Sequence, residues 1–139
     1  MSANLVLIDT SVWILALRKS PSSDAKDEVS RLLVENRVAI FPMICLELLG
    51  GTKSPNEFNR LKNRLSALHQ MPADEATWET AVQLSYKLRH RGKIIPYTDI
   101  LIASAAIINE CTLLHADRHF DLVAEDTNLN VRSFVSIVK

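Results

Sequence analysis

Cysteine, glycine and aromatic side chains are all scarce in this sequence, and so are long apolar runs and net charge. The two cysteines, Cys45 and Cys111, each sit among apolar neighbours. Two isolated thiols build neither a disulfide framework nor a zinc site, so both are expected as reduced core residues. Three glycines and five prolines are too few for a disordered or fibrous chain. The longest apolar run, around Ile100 to Ile108, is too short for a bilayer, which takes about 20 residues. No basic segment precedes the first apolar stretch, and Asp9 interrupts it, which argues against a secretory leader. A cytoplasmic protein without membrane contact is expected. The 16 basic and 16 acidic residues cancel, so the basic balance of many nucleic-acid binders is missing.

What is present is an ordinary globular composition, 47% apolar and 23% charged, over 139 residues. That length suits one domain spanning 1–139. Charge is unevenly spread. Residues 53–93 carry eight Lys/Arg against four Asp/Glu, and residues 94–139 carry three against six. Continuous apolar runs at 5–8, 38–41 and 112–115 read as strands covered on both faces, with a final strand at 130–135. Between them lie helical segments: 10–19, 24–36, 43–51, a stretch opened by Ser54, Pro55 and Glu57, 74–92, 98–110 and 118–125. "KSPSS" at 19–23 reads as a turn. Thr10 or Ser11 is the expected cap of the first helix, and Thr98 that of the helix beginning "TDILIASAA". Phe58, Leu61, Leu65 and Leu68 should make one apolar face. This alternation predicts an α/β fold. Its central, mostly parallel sheet should have about four to five strands and helices on both faces.

Four carboxylates stand in apolar settings. Asp9 closes the first strand and Asp117 the third, so both fall at the carboxyl edge of a parallel sheet, where open α/β folds bind ligands. Asp99 opens the most apolar helix, and Glu47 lies in "MICLELLGG". Each has an ordinary explanation as well. Asp9 and Asp99 suit a helix start, and Glu47 can point outward from an amphipathic helix. Together they suggest convergence. Four neighbouring carboxylates repel unless a cation joins them. Mg²⁺ or Mn²⁺ is the suitable ion, because both take oxygen ligands and keep positions open for water and phosphate. Such a site hydrolyses phosphodiesters. A dehalogenase-type phosphatase needs a second Asp two residues after the first, where Ser11 stands. The acid pattern of a phospho-acceptor receiver domain does not fit either.

The stretches "LIDTSVWI", "ICLELLGG", "YTDILIASAA" and "LLHADRHFDLVA" occur in order along essentially the whole chain. In this the sequence resembles the PIN-domain family, and within it the VapC-type toxins of toxin–antitoxin pairs. The resemblance implies a metal-dependent endoribonuclease, with Asp9, Glu47, Asp99 and Asp117 as metal-binding and catalytic acids. Thr10, Ser11 and Thr98 match small polar positions that support those acids. His115 stands where many members have Thr, and Asp121 is either a further metal contact or an exposed helix residue. The resemblance further implies a homodimer and a small cognate antitoxin that blocks the cleft. A non-catalytic PIN-fold protein that binds an antitoxin or RNA is the alternative, although a binding module has no need of four acids. An RNA substrate needs cations for its phosphates. Arg60, Lys62, Arg64, Lys87, Arg89, Arg91 and Lys93 are the candidates, although a solvated helix face is the better explanation of any one of them alone. With aromatics at 6%, recognition by shape and backbone is favoured over base stacking.

Overall fold

The computed structural model describes residues 4–19 and 23–135; the middle of the expected "KSPSS" turn lies outside them. Five strands form one sheet in the order β3-β2-β1-β4-β5: β1 Val6–Ile8, β2 Val38–Ile40, β3 His69–Gln70, β4 Thr112–His115 and β5 Asn130–Ser133. Every pairing is parallel. All residues of β1 and β2 are buried, as the continuous apolar runs require when helices cover both faces. β3 escapes sequence reading because it has two residues, both exposed, and no apolar pattern.

Among the described residues, seven helices connect the strands: α1 Thr10–Leu17, α2 Asp24–Val34, α3 Pro42–Gly50, α4 Pro55–Ser66, α5 Glu75–His90, α6 Tyr97–Ile108 and α7 Arg118–Ala124. The chain winds outward from β1 to β3, then returns across the sheet to β4 and β5. Crossovers between parallel strands are right-handed, so this reversal puts α1–α4 on one face and α5–α7 on the other. β1 and β4 are neighbours from which the chain departs in opposite directions. Their carboxyl ends therefore border the crevice that forms at such a switch point. Backbone bonds hold that edge in register: Leu7 pairs with Leu113, and the Asp9 N–H donates to the Leu114 carbonyl at 2.9 Å.

Helix ends follow the sequence in part. Ser54 caps α4 through the Glu57 N–H, and Asp74 caps α5 through the Thr77 N–H. Gly92, just past α5, has φ +78°, a conformation that glycine adopts without strain. Two expected caps are corrected. Asp9, not Thr10 or Ser11, caps α1 by accepting from the Ser11 N–H. α6 starts at Tyr97 after Pro96, so Thr98 lies inside the first turn and caps nothing. On α4 only Leu65 is buried, and Phe58 remains 37% exposed with the Lys62 ammonium 5.8 Å from its ring centroid. Leu61 and Leu68 are half-buried and pack against the core beside Leu65, so the expected apolar face forms except at Phe58. α6 is the central helix, with seven consecutive buried residues from Ile100 to Ala106. Both cysteines are free thiols.

Candidate metal centre

β1 ends on Asp9, and burial leaves that residue only 4% exposed. Its Oδ2 accepts from the Ser11 N–H at 3.0 Å and from the Ser11 hydroxyl at 2.5 Å. The same hydroxyl oxygen accepts from the Ala116 N–H at 2.9 Å, which ties the acid to the turn after β4. Burial pushes the Asp9 carboxyl above its usual range; the Ser11 bonds oppose this, and the Glu47 charge adds to it. Glu47 comes from α3 and is exposed. The Thr10 hydroxyl donates to its Oε1 at 2.6 Å, linking the first turn of α1 to α3.

The other two acids come from across the switch point. Asp99 lies in the first turn of α6, with its side chain 13% exposed. Burial, and then the Asp117 charge, push its carboxyl up to about 6; a hydrogen bond from His119 opposes the shift, and the Asp9 charge adds to it. Asp117 caps α7 by accepting from the His119 N–H at 3.0 Å. The charges of Glu47 on Asp9, and of Asp9 and Asp117 on Asp99, connect all four acids electrostatically. No Lys or Arg pairs with any of them among the described residues.

His119 is the residue that sequence reasoning missed. Its Nδ1 lies 2.9 Å from Asp99 Oδ2 and 3.1 Å from Asp117 Oδ1. Asp99, Asp117 and His119 each offer a ligand atom, and these atoms all lie within 4.8 Å of one another. The signal was its position two residues after Asp117, where a first-turn side chain can fold back over the cap. His115 has a different place. It is fully buried, and its Nδ1 accepts from the Asp117 N–H at 3.1 Å. That leaves the proton on Nε2, which donates to Asp121 Oδ1 at 3.1 Å. His115 thus braces the Asp117 turn from below, and Asp121 faces His115 rather than joining the Asp99–Asp117–His119 group. Thr98 is exposed, and its hydroxyl has no hydrogen-bond partner among the described residues.

The expected phosphate-binding cations divide into two sets. Arg60 and Arg64 line a groove of about 490 Å³ that also reaches Glu47, Arg18 and Lys19. Arg18, Arg60 and Arg64 form no ion pair among the described residues. Lys62 lies over Phe58 instead. On the other side, Lys93 bridges Glu125 and Asp126 at 2.7 Å each, and Arg91 reaches Asp126 at 2.9 Å. The Lys87 ammonium donates to the Asp126 carbonyl at 2.7 Å. These cations fasten α5 and the start of the α6 segment to the end of α7. Arg89 is exposed.

The donor set fits a hard divalent ion. Asp99, Asp117 and His119 supply carboxylate oxygens with one imidazole nitrogen, no Lys or Arg among the described residues pairs with them, and the Asp99 carboxyl is pushed toward protonation. Asp9 and Glu47 lie outside that close group, linked to it by the Asp9 charge on Asp99 and the Glu47 charge on Asp9. Among the described residues no helix is long and apolar enough to cross a membrane.

Residues 6–126 match the model of the PIN domain family. The chain is 34% identical to ribonuclease VapC11 of Mycobacterium tuberculosis, an alignment covering 94% of this chain and 99% of that protein. It is 27% identical to ribonuclease VapC18 of the same species, over 86% of this chain and 88% of that protein. Among solved structures, VapBC2 from Rickettsia felis, bound to a DNA fragment from their promoter, superposes with a TM-score of 0.77 at 24% identity, covering 94% of this chain and 98% of that one. With the family model spanning most of its length and a relative at 34% identity along nearly all of it, the chain belongs to the PIN domain family.

Proposed function

We propose that the protein is a Mg²⁺- or Mn²⁺-dependent endoribonuclease, the toxin of a toxin–antitoxin pair acting in the cytoplasm. The observation that carries this reading is the close Asp99–Asp117–His119 group beside Asp9 at the β1/β4 switch point, with Glu47 coupled to Asp9 from α3 and no lysine or arginine partner among the described residues. The ribonuclease names of its relatives supply the substrate class. Asp9, Asp99 and Asp117, with Glu47 at the rim, would hold the ion. When bound, that ion lowers the pKa of a water molecule and polarises the phosphoryl oxygen.

The chain's own residues do the positioning. Ser11 fixes the Asp9 carboxylate with two hydrogen bonds and couples it to the Ala116 turn. Thr10 orients Glu47 toward the groove lined by Arg60 and Arg64. His115 holds the Asp117 backbone in place. The RNA backbone runs along the Arg18–Arg60–Arg64 side, where these cations form no ion pair among the described residues. Arg91 and Lys93 take no part, because their charges are spent on Glu125 and Asp126. A small antitoxin covers the cleft, by analogy with the VapBC complexes of like fold, and the protein pairs as a homodimer, as the family resemblance implies.

The test is cleavage of small structured RNAs by the purified protein with Mg²⁺ or Mn²⁺. Cleavage is expected to stop on chelation and to resume when metal is restored. Cleavage that persists through chelation would overturn the metal mechanism. Toxicity on expression, relieved by a co-expressed small partner, is expected for the toxin. A soluble, well-expressed and harmless wild type contradicts that part.

A further inference from the structure

We infer that His119 is itself a metal ligand, through Nδ1, and that it biases the centre toward Mn²⁺ over Mg²⁺. The inference rests on the reading of the acid cluster as a metal centre. Three features of the site carry it. The first is spacing. An octahedral ion with ligands about 2.0–2.2 Å away sets neighbouring ligand atoms about 3.0 Å apart. His119 Nδ1 stands 2.9 Å from Asp99 Oδ2 and 3.1 Å from Asp117 Oδ1, the separations of adjacent corners around one ion.

The second feature is how the ring is held. The His119 backbone N–H donates to Asp117 Oδ1 at 3.0 Å, in the first turn of α7. The acid and the imidazole are therefore oriented by one capping turn and move together. The third is access. The His119 side chain is 40% exposed, whereas His115 is enclosed and already committed on both nitrogens. Only His119 presents a ring nitrogen to the carboxylates and still leaves its other nitrogen toward solvent.

The consequence is chemical. A set made only of carboxylate oxygens suits Mg²⁺, which binds nitrogen poorly. Adding an imidazole favours first-row transition ions over Mg²⁺, the later ones most and Mn²⁺ least, so Mn²⁺ gains on Mg²⁺ by a modest margin. The competing arrangement is an imidazole that only hydrogen-bonds the two acids and swings aside when an ion enters.

Mn²⁺ itself is the probe. Electron spin echo envelope modulation on the Mn²⁺-loaded protein reports directly bound nitrogen, and Mg²⁺ affinity is read by competition against the Mn²⁺ signal. The wild type is expected to show the nitrogen coupling. His119→Ala should lose it and bind Mn²⁺ roughly tenfold more weakly. His119→Asp, which restores an all-oxygen set, should keep Mg²⁺ binding and lose most of the preference for Mn²⁺. Circular dichroism of both variants checks the fold. Bound Mn²⁺ without nitrogen coupling in the wild type, or His119→Ala binding both ions as tightly as the wild type, would overturn the role of His119 while leaving the acid centre intact. A wild type that binds no Mn²⁺ at all would overturn the centre itself, and His119 with it.

Discussion

Two acid clusters in this protein meet opposite electrostatic fates. Glu125 and Asp126, at the end of α7, are neutralised by Lys93 and Arg91. Hydrogen bonds from Lys93 hold the Asp126 carboxyl below its usual range. Asp9, Glu47, Asp99 and Asp117 receive hydroxyls and an imidazole but, among the described residues, no lysine or arginine, and burial pushes Asp9 and Asp99 above the usual range. Cations were within the chain's means, since Arg60 and Arg64 border the groove that reaches Glu47. The difference separates acids used as fasteners from acids kept available. Four mutually repelling acids, two of them largely buried and none paired with a lysine or arginine among the described residues, store unfavourable energy that an added cation relieves.

The largest expected contrast is in catalysis. Asp99→Asn should lower RNA cleavage by at least ~100-fold, since it removes a ligand from a centre worth several kcal/mol of transition-state stabilisation. Asp126→Asn should leave cleavage within ~3-fold of wild type and lower the melting temperature instead. Equal losses from both would erase the distinction between the clusters.

Next comes RNA affinity. Reversing Arg60 and Arg64 together should weaken binding ~10-fold or more and flatten the salt dependence by roughly 1.4 in log–log slope, two phosphate contacts on a single strand. Reversing Arg91 and Lys93 should leave both quantities unchanged while weakening the α5–α7 attachment. Binding isotherms across salt concentrations decide this.

The smallest effect is on stability, and here the two clusters have opposite signs. Asp99 titrates near 6 in the folded metal-free protein, above the ordinary carboxyl value of 3.8. The folded state therefore holds the extra proton, and stability falls as pH rises from about 4 to 6. Asp126 is lowered, so its contribution is present above the ordinary carboxyl pKa and is lost as pH falls through its depressed value. Melting curves across pH should show the first trend shrink in Asp99→Asn, where Asp9 still contributes, and on addition of saturating Mn²⁺, and the second shrink in Asp126→Asn, where Glu28, Glu35 and Asp74 still contribute.

Much of this arrangement is written locally. Asp9 and Asp117 are legible because an apolar strand that ends on a carboxylate marks the edge of a parallel sheet, and Asp99 because it opens an unusually apolar helix. Ser11 is legible as a support, but its bond to Ala116 spans 105 positions and depends on β1 and β4 being neighbours. The same distance problem hides the fate of the basic residues. Arg91 and Lys93 look like Arg60 and Arg64 in the sequence, and only the fold brings Glu125 and Asp126, 32 to 35 positions later, against the first pair. His119 was within reach of local reasoning, two residues beyond an acid at a helix cap. Thr98 misled because Pro96 occupies the cap position, so α6 starts at Tyr97, two residues before the start that a Thr98 cap implies.

The most direct test of the unneutralised centre is equilibrium binding of Mn²⁺, followed through the loss of the free-ion paramagnetic signal. Wild type, Asp9→Asn with Asp99→Asn, and Glu125→Gln with Asp126→Asn should be compared at pH 7.5. The account predicts that the wild type and the Glu125/Asp126 variant bind Mn²⁺ alike, and that the Asp9/Asp99 variant binds at least ~100-fold more weakly. Wild-type affinity in the Asp9/Asp99 variant, or its loss in the Glu125/Asp126 variant, would contradict it.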